Sequence, residues 1–104
     1  MNRIVFEKAI SSQNIEWRKH ALQRMFERGI SREDVKDILR NGEIIEEYFD
    51  DKPFPSMLIF KFINNRPLHI VASLNESESQ IFIITAYEPT VEKFESDFKT
   101  RRKL

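Results

Sequence analysis

A change of hydrophobic period partway along the chain predicts an α+β domain. Up to Asn41 the apolar residues fall at helical spacing; from Glu43 to Tyr87 they come in β-branched and aromatic runs separated by turn residues. The expected architecture is two N-terminal helices packed on a four-stranded antiparallel meander, closed by a C-terminal helix. The 104 residues form one domain, with residues 1–14 as an N-terminal extension and residues 90–104 as a helix ending in a basic tail.

Residues 2–12 carry Ile4, Val5, Ala9 and Ile10 at roughly helical spacing and read as a short helix. Asn14 breaks it, and Ile15 to Trp17 reads as a brief extended stretch. From Lys19, the positions of Ala21, Leu22, Met25 and Phe26 mark an amphipathic helix stopped by Gly29. Ser31 and Asp34 resemble a capping box, and Val35, Ile38 and Leu39 give the second helix its buried stripe before Asn41-Gly42 ends it. EIIEEYF, SMLIFKFI, PLHIVASL and QIFIITAY are the strand runs. Asn64 to Arg66 and Asn75 to Ser79 supply hairpin turns, while Pro53 and Pro55 limit the first connection. Thr90, after Pro89, caps a last helix with Val91, Phe94 and Phe98 on one side.

Alternation along the strands assigns faces. Leu58, Phe60 and Phe62 share one face, as do Leu68, Ile70, Ala72 and Leu74, and also Phe82, Ile84 and Ala86. Pairing these sets as one buried face puts Phe62 opposite Leu68 and Lys61 opposite His69. Thr85 or Tyr87 then lies beside His69. Lys61, His69, Thr85 and Tyr87 are therefore expected together on the other face.

Composition narrows the chemistry. Forty per cent hydrophobic residues and nine Phe argue for a packed globule. The absence of cysteine removes disulfides and Cys-based zinc sites, which fits a reducing cytoplasm. No apolar run approaches membrane-spanning length, and MNRIVFEKAI lacks the features of a secretory leader. Seventeen basic residues balance seventeen acidic ones, so the bulk charge does not advertise nucleic acid. The distribution is uneven: Arg18 to Arg40 holds seven basic residues against four acids, and Glu43 to Asp51 holds five acids and no base. With two glycines there is no phosphate-cradling loop, and two histidines without metal-ligand spacing argue against a metal site; no cofactor is expected.

His20, Arg24, Arg28 and His69 are the residues that suggest function. Residues four apart advance by roughly 40° around a helix, so the first three form one stripe bordering the apolar side. Guanidinium groups beside a core are usually paired or aimed at an anion. A solvated helix face with Glu27 and Asp34 as partners is the competing reading. His69 projects away from the core, where it reads either as an ordinary surface residue or as an imidazole that moves a proton near neutral pH while Thr and Tyr hydroxyls orient a phosphate.

HALQRMFERGIS, DVKDIL, GEIIEEY, RPLHIVASL and ITAYEP, in that order, resemble the domain-of-unknown-function 4258 family over residues 17 to 102. That resemblance implies a distant relation to RelE-like messenger-RNA interferases and other small α+β ribonuclease toxins, cytoplasmic and encoded beside a DNA-binding antitoxin. It carries His20, Arg24, Arg28, His69, Thr85 and Tyr87 as the site. Lys19 and Lys61 are additional RNA-binding candidates, Lys61 through the strand register alone. The implied reaction is metal-independent cleavage of RNA by its own 2′-hydroxyl. His69 or His20 would be the base and the other the acid, with Arg24 and Arg28 on the phosphorane and Thr85 and Tyr87 positioning it. Two alternatives are a binding module that grips an anionic partner without turnover, and an interaction domain recruiting a strand to the Glu43–Phe49 edge.

Overall fold

The computed structural model describes residues 1–103. Three helices precede most of a five-stranded sheet: α1 (Arg3–Ser11), β1 (Ile15–Trp17), α2 (Lys19–Arg28), α3 (Arg32–Asn41), β2 (Glu43–Tyr48), β3 (Ser56–Ile63), β4 (Arg66–Asn75) and β5 (Gln80–Tyr87). The sheet order is β1-β5-β4-β3-β2, and β1 runs parallel to β5 while the other pairs are antiparallel. The expected four-stranded antiparallel meander with two N-terminal helices and a C-terminal helix is thus corrected to three helices and a mixed sheet. The brief stretch Ile15–Trp17 is the fifth strand, fixed by pairing with Ile81–Ile83, a partner no local pattern reveals.

Local chemistry explains most boundaries. The Asn2 side chain caps α1 through the Val5 amide, and Phe6, Ala9 and Ile10 are its buried face; Ile4, expected inside, is 80% exposed. Gly29, at φ 66°, ends α2 in the left-handed conformation. Ser31 and Asp34 form both bonds of a capping box on α3. Gly42 joins α3 to β2 where a Cβ would lie 2.5 Å from the Ile38 carbonyl oxygen and 2.8 Å from Ile59.

Turn length decides the register of β3 and β4. Asn64 and Asn65 both adopt positive φ, 52° and 66°, making a two-residue turn with Ile63 opposite Arg66. The three-residue turn expected from the sequence is one residue too long, and a one-residue slip turns every side chain over. Phe60 therefore faces His69, and Lys61 faces Leu68 on the helix side, where it pairs with Asp37 of α3 at 3.2 Å. The helix-covered face of the sheet is made by Met57, Ile59, Leu68, Ile70, Ala72, Leu74, Ile81, Ile83 and Ala86. It packs on Phe6, Ala9, Ala21, Met25, Val35, Ile38 and Leu39. Leu58, Phe60, Phe62, Phe82 and Ile84 do not belong to that layer.

Residues 89–103 form no helix. After one turn at Thr90–Phe94, the chain folds back so that Phe94 bridges Arg101 and the Arg102 amide reaches the Lys93 carbonyl. The physical cause is Asp97: its carboxylate takes the amides of Lys99 and Thr100 and the Thr100 hydroxyl, a local turn that competes with helical bonding. Those bonds, the Thr100 amide foremost, lower the Asp97 carboxyl to about 2. The resulting strap lies across the outer face of the sheet, tied to β2 by Lys99–Glu43 at 3.0 Å and Arg101–Glu46 at 2.9 Å.

Candidate functional site

The strap and the end of β5 enclose the candidate site. Because β1 pairs only as far as Ile83, the last residues of β5 have no strand on that edge, and Arg28 fills the gap by donating to the Ala86 carbonyl at 2.9 Å. Between β4 and β5 the register shifts after Val71, leaving Ile84 unopposed. This bulge resets the alternation, so Ala86 turns inward and Thr85 and Tyr87 turn outward with His69. A cavity of about 370 Å³ opens there, lined by Arg28, Thr85, Tyr87, Glu88, Pro89, Thr90, Lys93, Phe94 and Arg101.

Beneath its floor, His69 has no exposed surface. Phe60, Tyr87 and Phe94 surround the imidazole with edge contacts, ring centroids 5.7, 5.3 and 4.6 Å away. Nε2 lies 2.7 Å from the Phe98 carbonyl oxygen, which can only accept, so Nε2 carries the proton. Nδ1 is then free to accept from the Tyr87 hydroxyl at 3.3 Å. Burial depresses the His69 pKa, outweighing the opposing pull of the Phe98 carbonyl and of Glu46. Burial likewise raises the Tyr87 phenol. The pair is therefore a neutral imidazole accepting from the protonated phenol of Tyr87, a residue that lines the cavity.

The predicted residues divide into those inside this site and those outside it. Arg28, Thr85 and Tyr87 line the cavity, and His69 lies behind Tyr87. Arg24 is exposed and paired with Glu27 at 3.0 Å. His20 is exposed and lies roughly 12 Å from Arg28 along the α2 axis at 1.5 Å per residue. Lys19 is exposed at the start of α2, and Lys61 is on the helix side of the sheet. The expected neighbourhood of Lys61 and His69 is corrected by the two-residue turn, whereas His69 beside Tyr87 is observed.

Lys93, Thr90 and Arg101 enter the site without having been foreseen. Arg101 donates through Nε to both Glu46 oxygens, at 3.2 and 2.9 Å, and its guanidinium lies 4.9 Å over the Phe94 ring. Tyr48 donates to the same Glu46 carboxylate. Burial opposes ionisation of Glu46, yet the bonds from Tyr48 and Arg101 hold its pKa below the ordinary value. The basic ending KTRRKL is plain in the sequence; what hid Arg101 is the fold-back at Asp97, which a helical reading sends elsewhere. Among the described residues, no three His, Cys, Asp or Glu side chains converge in a metal-binding group, and no helix is long and apolar enough to cross a membrane.

Searches of curated proteins and of solved structures return no significant match. A family model described as a domain of unknown function, DUF4258, matches residues 17–88, which takes in α2 through β5 and stops short of the strap. The chain belongs to the DUF4258 family.

Proposed function

We propose that the cavity between β5 and the strap binds a phosphodiester of RNA and cleaves it without a metal, in the manner of a RelE-like ribonuclease toxin. The observation that carries this reading is the convergence of Arg28, Lys93 and Arg101 with Thr85 and Tyr87 around one cavity, with a neutral, buried His69 bonded to Tyr87. Three cations around one cavity suit the charge that grows on a phosphorane. A protonated phenol backed by an imidazole acceptor suits removal of a hydroxyl proton.

In this mechanism the RNA 2′-oxygen attacks the adjacent phosphorus as its proton passes to the Tyr87 oxygen. The Tyr87 proton moves to His69 Nδ1, leaving an imidazolium bonded to Phe98 and Tyr87. The bond from phosphorus to the 5′-oxygen breaks, and the Lys93 ammonium protonates that oxygen. Products are a 2′,3′-cyclic phosphate and a 5′-hydroxyl; His69 returns its proton to the Tyr87 oxygen as Tyr87 releases one to solvent, and solvent reprotonates Lys93. Direct base or acid roles for His69 and His20 are replaced here by the Tyr87–His69 relay and Lys93, because His69 is enclosed and His20 is two helical turns from Arg28.

A second reading, a binding module without turnover, draws on the same enclosure: with both nitrogens bonded to protein, His69 also serves as a satisfied structural group. The toxin reading brings a cognate DNA-binding antitoxin as partner and a cytoplasmic setting. Incubating the protein with single-stranded RNA in EDTA and mapping the new ends separates the two. Cyclic 2′,3′-phosphate ends lost in Tyr87→Phe support cleavage, whereas intact RNA that remains bound supports the binding module.

A further inference from the structure

The strap lines a second cavity. Lys93 and Arg101, which line the 370 Å³ cavity, also line a neighbouring one of about 340 Å³ together with Glu92 and Arg102. The two spaces therefore share their central cations, with Arg28 at one end and Arg102 at the other. Lys93 has no ion-pair partner among the described residues, so its ammonium is available to either space. Arg101 is held from three sides, by Glu46 through Nε, by the ring of Phe94 below, and by the backbone bridge to residue 94. Arg102 is fixed by the Val91 carbonyl and by Glu95 at 2.8 Å. Fixed guanidiniums lose little freedom when they engage an anion.

We infer that the two cavities form one groove binding two successive phosphates of a single-stranded polynucleotide, the first at Arg28, Thr85 and Tyr87 and the second at Arg102, with Lys93 and Arg101 between them. This rests on the phosphodiester reading above and extends it, because it makes the ligand an oligonucleotide. It also assigns the strap, which lies outside the family match, the part of the site that senses ligand length.

The test compares two uncleavable probes by NMR titration of the full chain: thymidine 5′-monophosphate, with one phosphate, and the 5′-phosphorylated thymidine dinucleotide, with two. The dinucleotide should bind roughly tenfold tighter or more, since its second phosphate is delivered by tether. Its log–log salt slope should be steeper by about 0.7. Arg102→Gln should remove most of that gain and leave the mononucleotide affinity unchanged. Arg102→Lys, which keeps the charge but not the fork, should retain the steeper slope and so separate charge loss from disturbance of the strap. Equal affinities and equal slopes for the two probes would overturn the groove while leaving the first site standing. No binding of either probe would overturn the first site and the groove together.

Discussion

His69 is enclosed by three aromatic rings and bonded at both nitrogens, so in the proposed cleavage it acts only through Tyr87. Tyr87→Phe removes one hydroxyl and leaves the ring; cleavage should fall by roughly 10²–10⁴-fold. Folding should lose about 1–3 kcal/mol, because the enclosed Nδ1 of His69 is left without its donor. Single-turnover rates and chemical denaturation measure the two quantities, and a rate change no larger than the stability change implies would remove Tyr87 from the chemistry. His69→Ala empties a packed site and strands the Phe98 carbonyl, so about 2–4 kcal/mol of stability should be lost. The pH dependence has a definite sign. The unfolded imidazole takes a proton near 6.5, whereas burial makes the folded one resist it. Acidification below about 6.5 therefore favours the unfolded chain, and stability falls until the lower folded value is passed. Thermal melts from pH 8 to 5 should show this decline in the native protein and a shallower one in His69→Gln. At this scale the sequence made the outward direction of His69 legible and narrowed its partner to Thr85 or Tyr87, because alternation reaches across a hairpin; the register selects Tyr87. It could not show the enclosure, since the rings of Phe60 and Phe94 arrive from a register and a fold-back set elsewhere.

Elements are positioned by a few backbone decisions. The Asn64-Asn65 turn chooses between two faces for all of β3, and its positive φ values explain why asparagine occupies both positions. The residues Asn64 to Arg66 announced a turn but not its length, and that one residue moved Lys61 from the site to α3. The helices were more legible: Gly29, Ser31 and Asp34 act through contacts within four residues, so their pattern is local. The strap was misread for the same reason in reverse, since Val91, Phe94 and Phe98 have helical spacing while Asp97 and Phe98, at φ 59°, commit the chain to a turn. Gly42→Ala would press a methyl group against the Ile38 carbonyl, an atom held in the helix, and should cost about 1–3 kcal/mol in denaturant titration. Glu46→Gln offers a test of sign. Charge alone predicts that losing a carboxylate near the cavity tightens phosphate binding. Positioning of Arg101 by Glu46 predicts that it weakens, and titration with inorganic phosphate distinguishes the two.

Across the whole molecule, neutrality conceals a division of charge. Acidic β2 is occupied by Lys99 and Arg101 of the strap, and these ion pairs hold the strap over the sheet with Arg28 and Lys93 at the cavity. The α+β class was legible from period alone, but the five-stranded order was not, because β1 joins the sheet through a contact more than sixty residues away. Likewise only the β5 half of the site lies in a recognisable motif; the strap half depends on a fold-back. The account rests on the cavity being a site of metal-independent RNA cleavage in which Tyr87 and His69 move the proton. Incubation of the protein with single-stranded RNA in EDTA, followed by end mapping beside Tyr87→Phe and His69→Gln, tests this most directly. The account predicts 2′,3′-cyclic phosphate ends from the native protein and their loss in both variants. RNA left intact by the native protein, or cut equally by all three, would contradict it.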